Sequence, residues 1–276
     1  MNISSIAREV KHAQDNALNL EPITSRYVDF DLPLGYQVAD AIHALRLSDG
    51  ITPVGRKIGF TNPDLWPIFG VDHPVWAYLY ESTVIQVSGT HVKCNISRFV
   101  APKIEPEIIV HFAKQPPVNA DSAQLIDCID WIAHGFEIVQ SHYPDWKFKA
   151  ADTIADSGLH ARLLVGEHRY IKELGPNLID QLKNCSVSLS CNDKELEVGR
   201  GSNVLGSPLG ALTHLLRIIA GQPSAAGIQS GEIVTTGSLT KAYGIQSGEV
   251  WSTVVSGIDL PGLTVEFVGD KAGGVL

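Results

Sequence analysis

The run at residues 101–112, APKIEPEIIVHF, constrains the fold more than any other stretch. Its isoleucine and valine content reads as a buried strand, yet it carries Glu105 and Glu107 two positions apart. Side chains alternate between the faces of a strand, so Lys103, Glu105, Glu107 and Ile109 share one face and Ile104, Ile108, Val110 and Phe112 the other. Like charges held side by side in an apolar sheet repel, and are costly to desolvate unless a cation or a shared proton compensates them. Pro106 has no N–H for the ladder, so the strand must lie at an edge or meet a bulge there, and bulges often re-aim side chains beside active sites. Taken alone, the E-x-E pair reads more readily as the solvated face of an edge strand than as a site.

The surrounding pattern divides the 276 residues into a helical extension, residues 1–50, and a catalytic domain, residues 51–276. Ile6, Val10, Ala13 and Ala17 recur at helical spacing after Ser4 and Ser5, and a second helix is predicted from about Leu34 to Leu45, stopping before Gly50. From there short β runs dominate. VGRKIGF, STVIQVSG and PKIEPEIIVHF read as strands, with a short turn of helix at PDLWPIFG between the first two. Ser122 caps a predicted helix over about 123–133, ended by Gly135, and FEIVQS follows as a strand containing Glu137. SVSLSCNDKELEVG predicts a hairpin turning at Asn192 and Asp193, and SPLGALTHLLRIIAG a capped amphipathic helix. IQSGEIV at Ile228 and IQSGEVW at Ile245 echo one another as Ser-Gly turns feeding strands. With LTVEFVG they suggest a β-rich core closing on itself as a sandwich or barrel.

A net charge of -9 without a lysine or arginine cluster argues against nucleic acid or an anionic membrane as partner, and favours a small molecule. The first twenty residues lack the apolar core of a signal peptide and no segment is long and apolar enough to span a bilayer, so the cytoplasm is the expected location. Cys94, Cys128, Cys185 and Cys191 are scattered without zinc or disulfide spacing and read as buried thiols.

Glu105, Glu107 and Glu137 are thus three carboxylates in apolar strands, a donor set suited to a hard cation such as Mg²⁺ that keeps several waters. They stand among longer motifs: GRKIGFTNPDLWPIFGVDHPVWAYLYES before them, GFEIVQSHYPDWKFKAADTIADSG around Glu137, then VLGSPLGALTHL and GEIVTTGSLT. In this order and spacing the chain, from about Val54 to its C-terminus, resembles the fumarylacetoacetate hydrolase superfamily. Within it the likeness is to the branch of 2-hydroxypenta-2,4-dienoate (2-keto-4-pentenoate) hydratases and 4-oxalocrotonate decarboxylases.

The resemblance implies an α+β, mainly β fold: a mixed β-sandwich roll with the N-terminal helices packed outside. It implies Glu105, Glu107 and Glu137 as ligands of Mg²⁺, with Mn²⁺ as an alternative, and Lys57 as the proton-transfer group. Lys149 and Asp152 match a pair close to the metal and the substrate carboxylate, and Thr236 and Gly237 match donors near the bound acid. Hydratases of the branch commonly carry consecutive aspartates where this chain has Glu81 and Ser82, which makes Glu81 the corresponding catalytic acid and leaves the reaction open. Trp76, Tyr78 and Tyr80 are candidates to line the pocket, and Arg56 or Arg162 to meet a second substrate carboxylate, which would favour decarboxylation. His73, His111, His142 and His160 read as structural or surface residues. The lid stretch NYxDHxxE of acylpyruvate hydrolases is absent. The implied activity is hydration of a small 2-keto acid by a homo-oligomer, with a complex with a related decarboxylase or hydratase left open; the alternatives are decarboxylation, C–C hydrolysis and a non-catalytic partner subunit.

Overall fold

Residues 1–48 fold largely as their apolar spacing predicts. Helix α1 (Ile3–Asn16) buries Ile6, Ala7, Val10 and Ala13, and its cap is Asn2, whose side chain accepts the Ser5 N–H, rather than Ser4 or Ser5. After the single turn α2 (Ile23–Arg26), helix α3 (Leu32–Ser48) starts on an Asp31 cap with Pro33 in its first turn. The computed structural model describes residues 1–222 and 225–269. Its remaining helices are α4 (Trp66–Phe69), α5 (Ser122–Cys128), α6 (Ala150–Ala155), α7 (Leu178–Asn184) and α8 (Pro208–Ala220). The first three pack with α6 around Ile6, Val10, Ile23, Val38, Ile42 and Ala155. Gly35 permits the close crossing of α3 on α6, because a Cβ there would stand 2.8 Å from the Ala151 carbonyl oxygen.

In chain order the strands are β1 (Pro53–Gly59), β2 (Val75–Tyr80), β3 (Val84–Gln86), β4 (His91–Asn95), β5 (Lys103–Phe112), β6 (Ile129–Val139), β7 (His160–Val165), β8 (Arg169–Tyr170), β9 (Ser186–Cys191), β10 (Lys194–Arg200), β11 (Ile233–Ser238), β12 (Tyr243–Gly244), β13 (Val250–Ser256) and β14 (Thr264–Val268). One mixed sheet runs β2-β1-β11-β5-β6-β7-β3, with β12 added to β5 and β8 to β6; a second runs β10-β9-β13-β14-β4. The architecture is α+β and mainly β, as expected. The second sheet covers the face of the first that carries Ile104, Phe136, Ile138 and Leu164, burying Leu189, Trp251, Val265 and Phe267 against them. Helix α8 inserts Leu209, Leu212 and Leu216 beside Ile108, Val110 and Phe112 of that same face. Glu105 and Glu107 therefore point away from both layers.

Three differences from the sequence-based expectation have local causes. β2, VWAYLY, is buried on both faces, so it lacks the alternation by which the half-buried strands announce themselves. Helix α5 stops at Cys128, and 129–139 pair with β5 along its length instead of continuing a helix to Ala133. Pro106 lies in a central strand, and of the two placements open to it the chain takes the bulge. The β5–β11 register shifts between Thr235 and Ser238, so the missing N–H falls where the ladder is already interrupted. The hairpin turn at Asn192 and Asp193 forms as predicted, both residues having positive φ.

Candidate active site

β5 and β6 bring the three glutamates together through register. Glu105 and Glu137 are directly opposed across the pair, and Glu107 faces Gly135. A Cβ on Gly135 would lie 2.3 Å from the Leu164 carbonyl oxygen and 2.6 Å from Ile109 Cδ1, so no larger residue fits beneath the cluster. One carboxylate oxygen from each glutamate lies within 4.8 Å of the others. From β1, Lys57 reaches in and places Nζ 3.0 Å from Glu137 Oε2, donating to the Gly158 carbonyl at 3.0 Å. Glu137 Oε1 pairs with His160 Nδ1 at 2.8 Å, and His160 Nε2 with Thr83 Oγ1 at 2.9 Å. The bulge frees the Gly237 N–H, which donates to Glu107 Oε2 at 2.7 Å. Glu107 Oε1 is buried without a hydrogen-bond partner among the described residues.

The electrostatics follow from three buried acids and one ammonium. Burial pushes Glu105 up to about 7, and burial with the charges of Glu137 and Glu105 drives Glu107 well above the carboxylate range. Burial would raise Glu137 too, but Lys57 and His160 outweigh it and hold that carboxylate at about 2. For Lys57, burial acts downward and the three glutamates together overcome it, so its pKa rises. Without a metal the ammonium form of Lys57 is therefore favoured. An oxygen-only donor set, an orphaned buried oxygen and uncompensated negative charge fit a hard divalent cation.

The cluster opens into a cavity of about 1050 Å³ whose lining includes Lys57, Glu105 and Thr61. One wall is a chain of aromatic rings: Phe60 to Phe69 at 4.7 Å, Phe69 to Phe148 at 5.9 Å, and Phe148 to Trp146 at 6.1 Å between centroids. These rings replace Trp76, Tyr78 and Tyr80, which point to the other side of β2 and stack with His43, Tyr36 and Arg56. The bulge glycine, at φ 102°, has Thr61 packed on it; a Cβ would come 2.1 Å from Thr61 Oγ1.

Several expected site residues lie elsewhere. Asp152 is fully buried, but its carboxylate faces the N-terminal helices, accepting from Thr24 N at 3.0 Å, Thr24 Oγ1 at 2.7 Å and the Lys149 N–H at 2.9 Å. Lys149 itself is exposed and outside the cavity lining, as is Glu81, which accepts the Thr52 N–H. Thr236 donates its hydroxyl to the Ile108 carbonyl, and Gly237 spends its N–H on Glu107, so both brace the carboxylates instead of facing the cavity. Arg56 is locked to Glu232 at 2.9 Å and lies over Tyr78; Arg162 lies over Phe99, and neither lines the cavity. Sequence reasoning missed His160 and Lys103. It also missed the turn at 157–159, where Ser157, Gly158 and Leu159 all have positive φ and present the carbonyl that holds Lys57.

No family model matches the chain. It is 26% identical over 262 residues to a 2-keto-4-pentenoate hydratase of Burkholderia vietnamiensis, covering 93% of this chain and 95% of that one. It is 27% identical over 205 residues to a 4-oxalocrotonate decarboxylase of a Pseudomonas species, covering 74% and 75%. Among solved structures, 4-oxalocrotonate decarboxylase from Pseudomonas putida G7, complexed with magnesium and adipate, superposes with a TM-score of 0.86 at 23% identity, covering 96% of this chain and 97% of that one. Fumarylpyruvate hydrolase from Pseudomonas aeruginosa, in complex with Mn²⁺ and pyruvate, has a TM-score of 0.57 at 13% identity over 79% and 90%. The structures speak to the fold; the hydratase matches nearly the whole chain and the decarboxylase about three quarters of it. The chain is similar along most of its length to 2-keto-4-pentenoate hydratases and to a 4-oxalocrotonate decarboxylase, and it shares the fold of the solved 4-oxalocrotonate decarboxylase.

Proposed function

We propose that the protein is a metal-dependent hydro-lyase that adds water to a 2-hydroxy-2,4-dienoate, the enol of a 2-keto-4-enoate, to give a 4-hydroxy-2-oxo acid. The observation that carries this reading is the convergence of Glu105, Glu107 and Glu137 with Lys57 at the end of the cavity. In it, the three glutamates would hold Mg²⁺, or Mn²⁺, which when bound would supply Lewis acidity toward the 2-oxo or 2-enol oxygen of the acid. His160 fixes the Glu137 carboxylate, and the Gly237 N–H fixes that of Glu107. Lys57, steadied by the Gly158 carbonyl, hands its Nζ proton to the terminal carbon of the dienol, and the amine so formed takes up the proton that the enol oxygen loses. Water then adds to the carbon conjugated with the resulting ketone, and its remaining proton goes to the carbon between. The aromatic wall from Phe60 to Trp146 accommodates the hydrocarbon tail and excludes bulk water.

The relative named 4-oxalocrotonate decarboxylase supports a second reading, loss of the distal carboxylate of a 2-oxo-3-enedioate as CO₂. C–C hydrolysis of an acylpyruvate ranks below both, since the lid stretch of such hydrolases is absent from the sequence. A cytoplasmic homo-oligomer with the β-sandwich roll of the family completes the proposal, and light scattering tests the assembly. The deciding experiment follows the ultraviolet absorbance of 2-hydroxypenta-2,4-dienoate and of 2-oxo-3-hexenedioate with metal-stripped protein, with and without Mg²⁺. Metal-dependent formation of 4-hydroxy-2-oxopentanoate establishes hydration; CO₂ from the dioate alone promotes the decarboxylase; inertness toward both overturns the two readings.

A further inference from the structure

The cavity contains a cation that the proposed chemistry does not use. Lys103 stands on the same face of β5 as Glu105, two positions toward the strand's start, so the two lie about 6.6 Å apart along the strand. Among the described residues its side chain makes no ion pair or hydrogen bond. Its contact is the Trp146 ring, whose centroid lies 3.8 Å from Nζ. Trp146 is itself fixed, donating its indole N–H to the Ala101 carbonyl at 3.0 Å. The aromatic wall therefore has direction. Its Phe60 end lies beside Thr61, which packs on Gly237 and hence near Glu107, and its Trp146 end lies over Lys103. A short acid whose 2-keto end sits at the glutamates and whose tail runs back along β5 meets an ammonium beside the Trp146 ring. The other cations differ: Lys57 is committed to Glu137 and Gly158, and Lys241 lies exposed at the cavity's edge.

We propose that Lys103 is a specificity residue that recognises an anionic group, a second carboxylate, at the distal end of the 2-keto acid. This rests on the metal-centred reading above. A lysine held on a ring in a half-enclosed site is desolvated enough for a charge-assisted hydrogen bond to count.

The test uses two acids of equal length that differ only at the far end, 2-oxohexanoate and 2-oxohexanedioate, titrated calorimetrically into the Mg²⁺-loaded protein. The wild type is expected to bind the dioate about 10- to 100-fold more tightly, the range of a charge-assisted contact. Lys103→Met removes that preference and leaves 2-oxohexanoate within about twofold, and Lys103→Arg restores most of it. Equal binding of both acids by the wild type overturns the inference. So does an equal loss for both in Lys103→Met, which would put the lysine at the shared 2-keto carboxylate. If the preference and its loss are seen but no dienoate or dioate is turned over, the hydratase reading falls and this inference stands.

Discussion

Two clusters of buried acids in this molecule are treated in opposite ways. Under the N-terminal helices, Asp152 accepts three hydrogen bonds, and Asp156 accepts from Gln14 and pairs with His142 Nδ1 at 2.8 Å. At the cavity, three glutamates share one lysine, and Glu107 keeps a buried oxygen with no hydrogen-bond partner among the described residues. The first arrangement is how a fold makes a buried charge tolerable, with each oxygen matched to a donor. The second is costly in the protein alone and becomes favourable only when a cation arrives. Burial of an acid therefore says little about function, whereas its unmet demand says much.

The strongest way to break this contrast is to substitute one member of each cluster. Glu107→Gln should abolish Mg²⁺ binding by calorimetry and cut turnover by well over the roughly 100-fold that an outer-shell change costs. Because the Glu107 carboxyl is already pushed toward neutrality in the metal-free protein, the amide should leave metal-free stability within about 1 kcal/mol of the wild type. Asp152→Ala should do the reverse. Its loss strands three part-buried donors and should cost about 2 kcal/mol in urea unfolding, while the folded protein binds metal as before. If Glu107→Gln proves the more destabilising of the two, the contrast is wrong.

Acidity sharpens the same contrast with a smaller effect. Glu105 titrates at about 7 without metal, above the ordinary carboxylate, so below that pH a proton occupies the oxygen that a cation needs. Affinity for Mg²⁺ should therefore fall by at least roughly tenfold per unit as pH drops below about 7, the raised Glu107 carboxyl adding to the loss. In the metal-free protein the sign for stability is opposite: a raised carboxyl stabilises at low pH, and that contribution is lost as pH rises from the unfolded value of about 4.5 through 7. Titrations of affinity and of unfolding free energy at matched pH would expose a mismatch directly.

Much of this was legible in strand parity. The alternation of residues 103–112 put Lys103, Glu105 and Glu107 on one face, and Pro106 announced an edge or a bulge, of which the bulge turns the Gly237 N–H onto Glu107. What parity could not supply was the partner of each charge. Asp152 carries the same local signal whether it binds a ligand or reaches back to the first N–H of a helix. Its place three residues after Lys149, at the start of a helical run, was the clue to the second. His160 stood alone before a strand, and only pairing β6 with β7 brings it to Glu137. β2 was missed because its burial on both faces erases the period of two.

The smallest effect concerns the link between the two clusters. Gln14 of α1 donates to Asp156 Oδ1 and Ser157 Oγ, both at 3.0 Å, and accepts from Arg46 of α3 at 2.7 Å. Asp156 opens the turn in which three successive residues take positive φ, and the Gly158 carbonyl at its apex holds Lys57. Two of the three, Ser157 and Leu159, carry a Cβ in a conformation that glycine alone adopts freely, so the turn persists because its surroundings hold it. Gln14→Ala removes one of those holds. It should cost about 1 kcal/mol of stability and lower kcat several-fold at unchanged KM, since the metal ligands are untouched while Lys57 loses a fixed position. A variant with full kcat would mean that the helices support the domain without reaching its chemistry. A variant that loses metal affinity as well would mean that the saturated and the unsaturated acids form one cluster, and the contrast between them would dissolve.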